Sequence, residues 1–363
     1  MTVPTGPWAV QVTGLRKSFG AGNAAVAAVR GMDLAVAEGE IFGLLGPNGA
    51  GKSTTLRILT TLLPADGGEA VIAGADVRRA PARVRARIGY VGQLGGADAG
   101  ATGRENLLLT GRLYGLGRAA ARARCAELLG VFDLSEQAGR PVRTYSGGQK
   151  RRLEIALGIM HRPRVLFLDE PTTGLDPQNR ANLWELLRQL RAAGSTVVLT
   201  THYLDEADHL CDRIAIIDHG AVIALGSPAE LKQRYSGEAI AITPDVPAPS
   251  LPALALDLAG ALAGDPPAAG AAPGAAWAVT GDGAIRLALA DGSPGATEAM
   301  AAAFALLARR GVAVLAAGIA RPSLDDVFLH ETGRTLRDAG SPPGGARTDG
   351  AAGVSAAAAG VAA

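Results

Sequence analysis

The segment Gly46-Pro47-Asn48-Gly49-Ala50-Gly51-Lys52-Ser53 has the spacing of a loop built to hold phosphate: a glycine, four residues, then Gly-Lys-Ser. Glycines let backbone N–H groups turn inward on phosphate oxygens. The helix that follows adds the positive end of its dipole, and Lys52 supplies a compact cation for the terminal phosphates. Ser53 offers a hydroxyl to Mg2+, and Thr54 belongs to the same binding segment. A glycine-rich turn before a helix is the plain structural alternative. Further on, the apolar run Val165-Leu-Phe-Leu ends in two acids, Asp169 and Glu170. Acids at the end of a buried strand stand at the sheet edge where a phosphate loop also opens. There Asp169 can hold Mg2+ through its water shell, while Glu170 can polarise an attacking water as general base. The alternative is a pair of acids that simply end a strand. A third segment, Tyr145-Ser146-Gly147-Gly148-Gln149, opens a helical pattern and makes a second Ser/Gly-rich helix N-terminus suited to an anion. Serine followed by glycine is equally an ordinary helix cap.

These residues need a frame. From about residue 8 to residue 235, short β-rich runs alternate with helical patterns, as in an α/β domain around a largely parallel sheet. The apolar runs predict strands over Ile41–Leu45, Val165–Leu168, Thr196–Thr200 and Ile214–Asp218. The periodicity predicts helices over Lys52–Leu63 and Gly147–Met160, the latter with Leu153, Leu157 and Met160 on one face. Each chemical segment falls at a junction of these elements. Residues 94 to 105 hold four glycines and one net negative charge and read as a mobile loop, with a helical stretch over Asn106–Tyr114. After Gly237 the composition shifts to Ala, Pro and Gly. A short helix over Leu251–Leu262, a strand over Ile285–Leu289, a helix over Ala296–Arg309 and a strand over Val312–Ala316 suggest a small α+β accessory domain across residues 237–334. Residues 335–363, rich in Ala, Gly, Pro and Ser, read as a disordered tail.

Composition narrows the class. The chain has 363 residues, 48% apolar and 19% charged, with a formal net charge of +1. That balance is globular and offers no basic patch for nucleic acid. Cys125 and Cys211 lie far apart, which disfavours a disulfide framework or a zinc site and fits a reducing compartment. Residues 1–10 lack the basic start and apolar core of a signal peptide. The stretch Leu251 to Gly264 is too short to cross a bilayer and carries Asp257 in its middle.

In order and spacing, Gly46 to Ser53, Ser146 to Gln149 and Asp169-Glu170 resemble the ABC ATPase family over residues 8–235. The resemblance implies a P-loop NTPase cassette of the α/β class: a parallel core sheet, an antiparallel β N-terminal subdomain, a helical signature subdomain and a small C-terminal α+β extension. It assigns further residues that chemistry alone leaves open. Gln93 matches the Q-loop glutamine, which reaches Mg2+ beside Ser53 and Asp169. Asp176, in Gly174-Leu175-Asp176-Pro177, matches the D-loop. His202 matches the switch histidine, and Phe19 the aromatic that stacks on adenine. Taken singly, His202 is also a strand-end histidine and Phe19 a core aromatic. Gly92 stands where many members have proline before the Q-loop glutamine. His161, His209, His219 and His330 match nothing and read as surface or helix-end residues.

The same resemblance implies a head-to-tail dimer of two copies. Each ATP then lies between the phosphate loop of one subunit and Ser146, Gly147, Gly148 and Gln149 of the other. Lys52, Glu170 and His202 carry hydrolysis, and the region after Gln93 touches a separate integral membrane permease at the cytoplasmic face of the membrane. Far downstream, Arg321-Pro-Ser-Leu-Asp-Asp-Val-Phe-Leu329, continued by Thr332-Gly-Arg334, is similar to the daunorubicin-resistance type of exporter ATPase. There the C-terminal segment is associated with assembly. Leu324, Val327 and Phe328 also read as one helix face covering the accessory domain. An importer subunit shares the ATP chemistry. A non-transport ABC ATPase acting as a mechanical switch usually brings a second cassette or long coiled-coil inserts, which this chain lacks.

Overall fold

The computed structural model describes residues 8–20, 25–235, 239–262, 275–279, 283–289, 295–320 and 323–332. The tail expected over residues 335–363 lies outside them. Strands β1 (Trp8–Phe19) and β2 (Val26–Ala37) form an antiparallel ribbon. Strand β3 (Ile41–Leu45) and helix α1 (Lys52–Leu59) flank the glycine loop. Strands β4 (Gly67–Ile72) and β5 (Ala75–Asp76) then complete a four-stranded antiparallel sheet in the order β2-β1-β4-β5.

After α2 (Pro81–Arg85), strand β6 (Ile88–Val91) enters a second sheet. A helical excursion follows, α3 (Gly103–Leu113), α4 (Arg118–Val131) and α5 (Gly147–Gly158), before the chain returns as β7 (Val165–Asp169). Next come α6 (Pro177–Ala192), β8 (Thr196–Thr201), α7 (Leu204–Leu210), β9 (Arg213–Asp218), β10 (Ala221–Gly226) and α8 (Pro228–Tyr235). The sheet runs β10-β9-β3-β8-β7-β6 and is parallel except for β10. Every residue of β3, β7 and β8 is buried. Covered on both faces, such strands read as unbroken apolar runs, which is why the sequence reveals them.

Register decides what meets at the sheet edge. Leu45 lies beside Thr201, Asp169 beside Thr200, and Val91 beside Leu168. The chain therefore leaves β3, β6, β7 and β8 at one level, and the glycine loop, Gln93, Glu170 and His202 emerge together at the carboxyl ends of the strands.

Several boundaries differ from expectation, the end of α5 at Gly158 rather than Met160 among them, and three have plain local reasons. Helix α1 ends at Leu59 rather than Leu63, because Thr61 turns to positive φ (63°) and Pro64 disfavours helix in the residue before it. Helix α3 starts at Gly103: Thr102 and Glu105 form a reciprocal capping box that takes the end of the expected mobile loop into the helix. Strand β14 (below) starts at Val314, because Gly311 (φ 68°) and the bond from Val312 N–H to the Leu307 carbonyl first close the preceding helix.

The remaining elements are β11 (Ala239–Pro244), α9 (Leu251–Leu262), β12 (Ala275–Val279), β13 (Ile285–Leu289), α10 (Ala296–Arg309), β14 (Val314–Ala320) and α11 (Leu324–Thr332). A third, antiparallel sheet, β12-β13-β11-β14, packs under α9 and α10 with its own apolar core, including Ile240, Leu258, Leu287 and Leu307. Helix α11 behaves differently from expectation. Leu324, Val327 and Phe328 join the large core of the preceding domain, among Ala207, Leu210 and Leu231 of α7 and α8. Asp326 reaches back to the third sheet, where the Arg286 guanidinium donates to both its oxygens at 2.7 and 2.9 Å. Among the described residues, no helix is long and apolar enough to cross a membrane.

Candidate functional site

The glycine loop keeps its shape by backbone conformation and close approach. Gly49 and Gly51 sit at φ 83° and 102°, in the left-handed region that favours glycine. A Cβ on Gly51 would run into the Ala28 carbonyl oxygen, and one on Gly46 into that of Ile217. Asn48 and Gly49 are exposed, whereas Gly46, Pro47, Ala50, Gly51 and Lys52 are buried, with Ser53 and Thr54 between. Lys52 Nζ donates to the carbonyls of Gly46 and Pro47 at 2.6 and 2.9 Å. Burial lowers its pKa from the ordinary lysine value, with Glu170 and Asp169 pulling the other way. An ammonium buried against loop carbonyls is ready to exchange them for an anion of higher charge.

Across the edge, Asp169 Oδ1 accepts from Ser53 Oγ at 2.9 Å and from Thr200 Oγ1 at 2.6 Å. Thr200 in turn accepts from the Glu170 N–H at 2.9 Å. Glu170 itself sits at φ 46°, an uncommon conformation for a non-glycine residue and one that marks sites where backbone strain is held by the surroundings. Its carboxylate is held on several sides. Gln93 Nε2 and Thr173 Oγ1 donate to Oε2 at 3.1 and 3.2 Å; Lys52 Nζ stands 4.0 Å and His202 Nδ1 3.3 Å from Oε1.

The hydroxyl of Ser53, the carboxylate of Asp169 and the amide oxygen of Gln93 are oxygen donors of the kind a hard divalent cation takes. No group of three or more His, Cys, Asp or Glu among the described residues could hold a metal alone. A cation here would draw its remaining ligands from phosphate and water, as Mg2+ commonly does.

The other predicted residues occupy two further places. Phe19 ends β1 and is about half exposed, with Lys17 Nζ 5.6 Å from its ring centre. Ser146 caps α5: its hydroxyl accepts from Gln149 N–H at 3.2 Å, and the Gln149 side chain returns the bond to Ser146 N–H at 3.0 Å. The cap leaves Ser146 and Gly147 exposed, while Gly148 packs so closely on Asn179 that a Cβ there would collide with it. Asp176 caps α6 through Asn179 N–H at 2.9 Å, which lowers its carboxyl pKa. The two helix starts therefore abut.

Sequence reasoning missed Thr200 and Thr173, which hold the two acids, and Glu206, buried in α7 four residues after His202. A threonine in a buried strand looks like β-propensity until its hydroxyl is seen to bond. Among the histidines left unassigned, His161 is not a plain surface residue. It stacks on Tyr114 with ring centres 3.7 Å apart, and its Nε2 lies 2.8 Å from the Ile88 carbonyl oxygen.

Comparison with known proteins places the chain among characterised relatives. The family model described as "ABC transporter" matches residues 29–173. The daunorubicin resistance ATP-binding protein DrrA2 of Streptomyces coeruleorubidus is 44% identical over 326 residues, 90% of this chain and 95% of that protein. The daunorubicin/doxorubicin resistance ATP-binding protein DrrA of Streptomyces peucetius is 52% identical over 232 residues, 64% of this chain and 69% of that protein. Among solved structures, a dimeric post-hydrolysis state of an ATP-binding cassette bound to ADP and Pi superposes with a TM-score of 0.56 at 28% identity, covering 60% of this chain and 98% of that one.

Proposed function

This chain belongs to the ABC transporter family as an ATP-binding, ATP-hydrolysing subunit, and from that premise we propose that it drives a two-component exporter of drugs or other amphipathic compounds. Its partner is a separate integral membrane permease, met at the cytoplasmic face of the membrane. Export is supported by the similarity to drug-resistance ATPases, which runs through the C-terminal region as well as the cassette.

The observation that carries the hydrolytic assignment is Glu170, held at φ 46° with its carboxylate facing Lys52, His202 and Gln93. In this reading Gly46 to Thr54 wrap the phosphates and Phe19 stacks on the base. Ser53, Asp169 and Gln93 hold Mg2+, which supplies charge neutralisation of the polyphosphate. Glu170 takes the proton of the attacking water. His202 orients the γ-phosphate and the base, and Lys52 leaves its loop carbonyls for the phosphate oxygens. Catalysis is positioning and electrostatics.

Two copies close head to tail on ATP. The exposed Ser146 and Gly147, with Gly148, meet the γ-phosphate held by the other subunit, Gln149 and Asp176 lying beside them, so that ATP joins the dimer and hydrolysis releases it. We assign residues 8–235 to the cassette and residues 237–334 to an accessory domain. Permease docking is supported by a groove of about 630 Å3 beside Gln93, lined by Leu62, Leu94 and Tyr114. Leu94 is 95% exposed in the isolated chain, an unusual state for leucine and one suited to a partner's apolar helix.

Glu170→Gln tests the core of this reading. Nucleotide affinity should stay within about twofold while turnover falls by about a hundredfold or more, the scale of a general base. Turnover at the wild-type rate would remove Glu170 from the role.

A further inference from the structure

Thr200 holds the N–H of Glu170, and a side chain of α5 holds the carbonyls of the residues before and after it. Arg151, on the second turn of α5, is 8% exposed. Its guanidinium donates from Nε to the Pro171 carbonyl at 2.8 Å and from Nη2 to the Asp169 carbonyl at 3.1 Å. It thereby grips the residues on both sides of Glu170. From Nη1 it also donates to the Gly92 carbonyl at 2.9 Å, immediately before Gln93, whose amide holds the Glu170 carboxylate at 3.1 Å. The charge is balanced by Glu154, one turn along the same helix, at 3.1 Å and itself buried.

A planar fork of donors can bind three carbonyls on two separate segments at once. An ammonium, a point charge on a flexible stem, cannot reproduce that geometry. The bonds reach the backbone rather than the reacting groups. They hold the carbonyls of the residues before and after one at φ 46°, and so constrain the direction in which the Glu170 side chain leaves the chain.

We propose that Arg151 is a positioning residue for hydrolysis, holding Glu170 and Gln93 in working geometry from the signature helix. The inference rests on Glu170 acting as the base. It adds a physical link between the helix whose N-terminus is offered to the other copy's nucleotide and the carboxylate that acts on this copy's own.

The test uses the full chain, with ATP binding, single-turnover hydrolysis in Mg2+ and thermal midpoint measured on each variant. In Arg151→Lys, ATP affinity should stay within about twofold while hydrolysis falls about tenfold to a hundredfold, the scale on which a small misplacement of a catalytic group acts. Glu154→Gln leaves the three carbonyl bonds in place and should lose less. It also supplies the same split between binding and rate should Arg151→Lys fail to fold.

The decisive variant combines Arg151→Lys with Glu170→Gln. Because both changes act through one group, the arginine change should cost nothing further there. Wild-type hydrolysis by Arg151→Lys, parallel loss of affinity and rate in either single variant, or multiplied losses in the double variant would each overturn the proposal. Full hydrolysis by Glu170→Gln alone would instead overturn the assignment of the base, and so the two failures are told apart.

Discussion

Two carboxyl groups of the cassette, Glu170 and Glu206, meet partners of different kinds. Glu170 meets the cation of Lys52 and the donors of Gln93 and Thr173. Glu206 is fully buried; the Trp184 indole donates to one oxygen at 3.2 Å, and the hydroxyls of Thr201 and Thr172 offset its burial only in part. Desolvation raises its pKa above the ordinary 4.5. The folded chain then holds a proton that the unfolded chain releases, so native binds more protons than unfolded between the two pKa values. The stabilisation is fully present below pH 4.5 and is lost as pH rises through the raised folded value. Glu206→Gln should remove that loss. Thermal midpoints of wild type and variant measured against pH should diverge on this upward limb, and parallel curves would refute the assignment.

At the scale of elements, helix starts do most of the work. Helices α1, α3, α5 and α6 begin at the glycine loop, Thr102, Ser146 and Asp176, and all but α1 are capped by a side chain. The exception begins at Gly51, in left-handed conformation at φ 102°, with its uncapped N–H groups available to phosphate. Gly51→Ala imposes strain of about 1–3 kcal/mol and drives a methyl into the Ala28 carbonyl. It should lower the thermal midpoint and abolish ATP binding, read by equilibrium titration; unchanged affinity would show that the loop tolerates another shape. The cap on α5 bears on both readings of Ser146. Ser146 is an ordinary N-cap in the isolated chain and still presents its outer face to solvent. Capping and anion binding are compatible uses of one serine.

On the scale of the molecule, α11 fastens the third sheet to the cassette. Its apolar face enters the cassette core while Asp326 takes both donors of Arg286. Phe328, fully buried, should cost about 3–5 kcal/mol on truncation to alanine. Because its neighbours belong to α7 and α8, the loss should appear in the unfolding transition of the cassette, followed by denaturant titration with ATP protection as the marker. A loss confined to a separate transition of the accessory domain would contradict the packing. The segment is therefore part of the cassette's stability.

By itself the sequence determined the phosphate loop, the acids at the end of β7, the buried parallel strands and the extent of α9 and α10. Each of these is local: a glycine spacing, an apolar run, a helical period. Several further matters were decided only by tertiary structure. Parallel register brought Gln93, Glu170 and His202 to one level, because neighbouring strands far apart in sequence end together. Packing placed the apolar face of α11 in the cassette core, since an apolar helix face does not specify which core it enters. The grip of Arg151 on the carbonyls around Glu170 was likewise invisible, because carbonyl acceptors carry no residue type and their partners are chosen by proximity alone. The phosphate loop could be read from spacing; the geometry around Glu170 came from contacts between segments as far apart in the chain as Ser53 and Asp169.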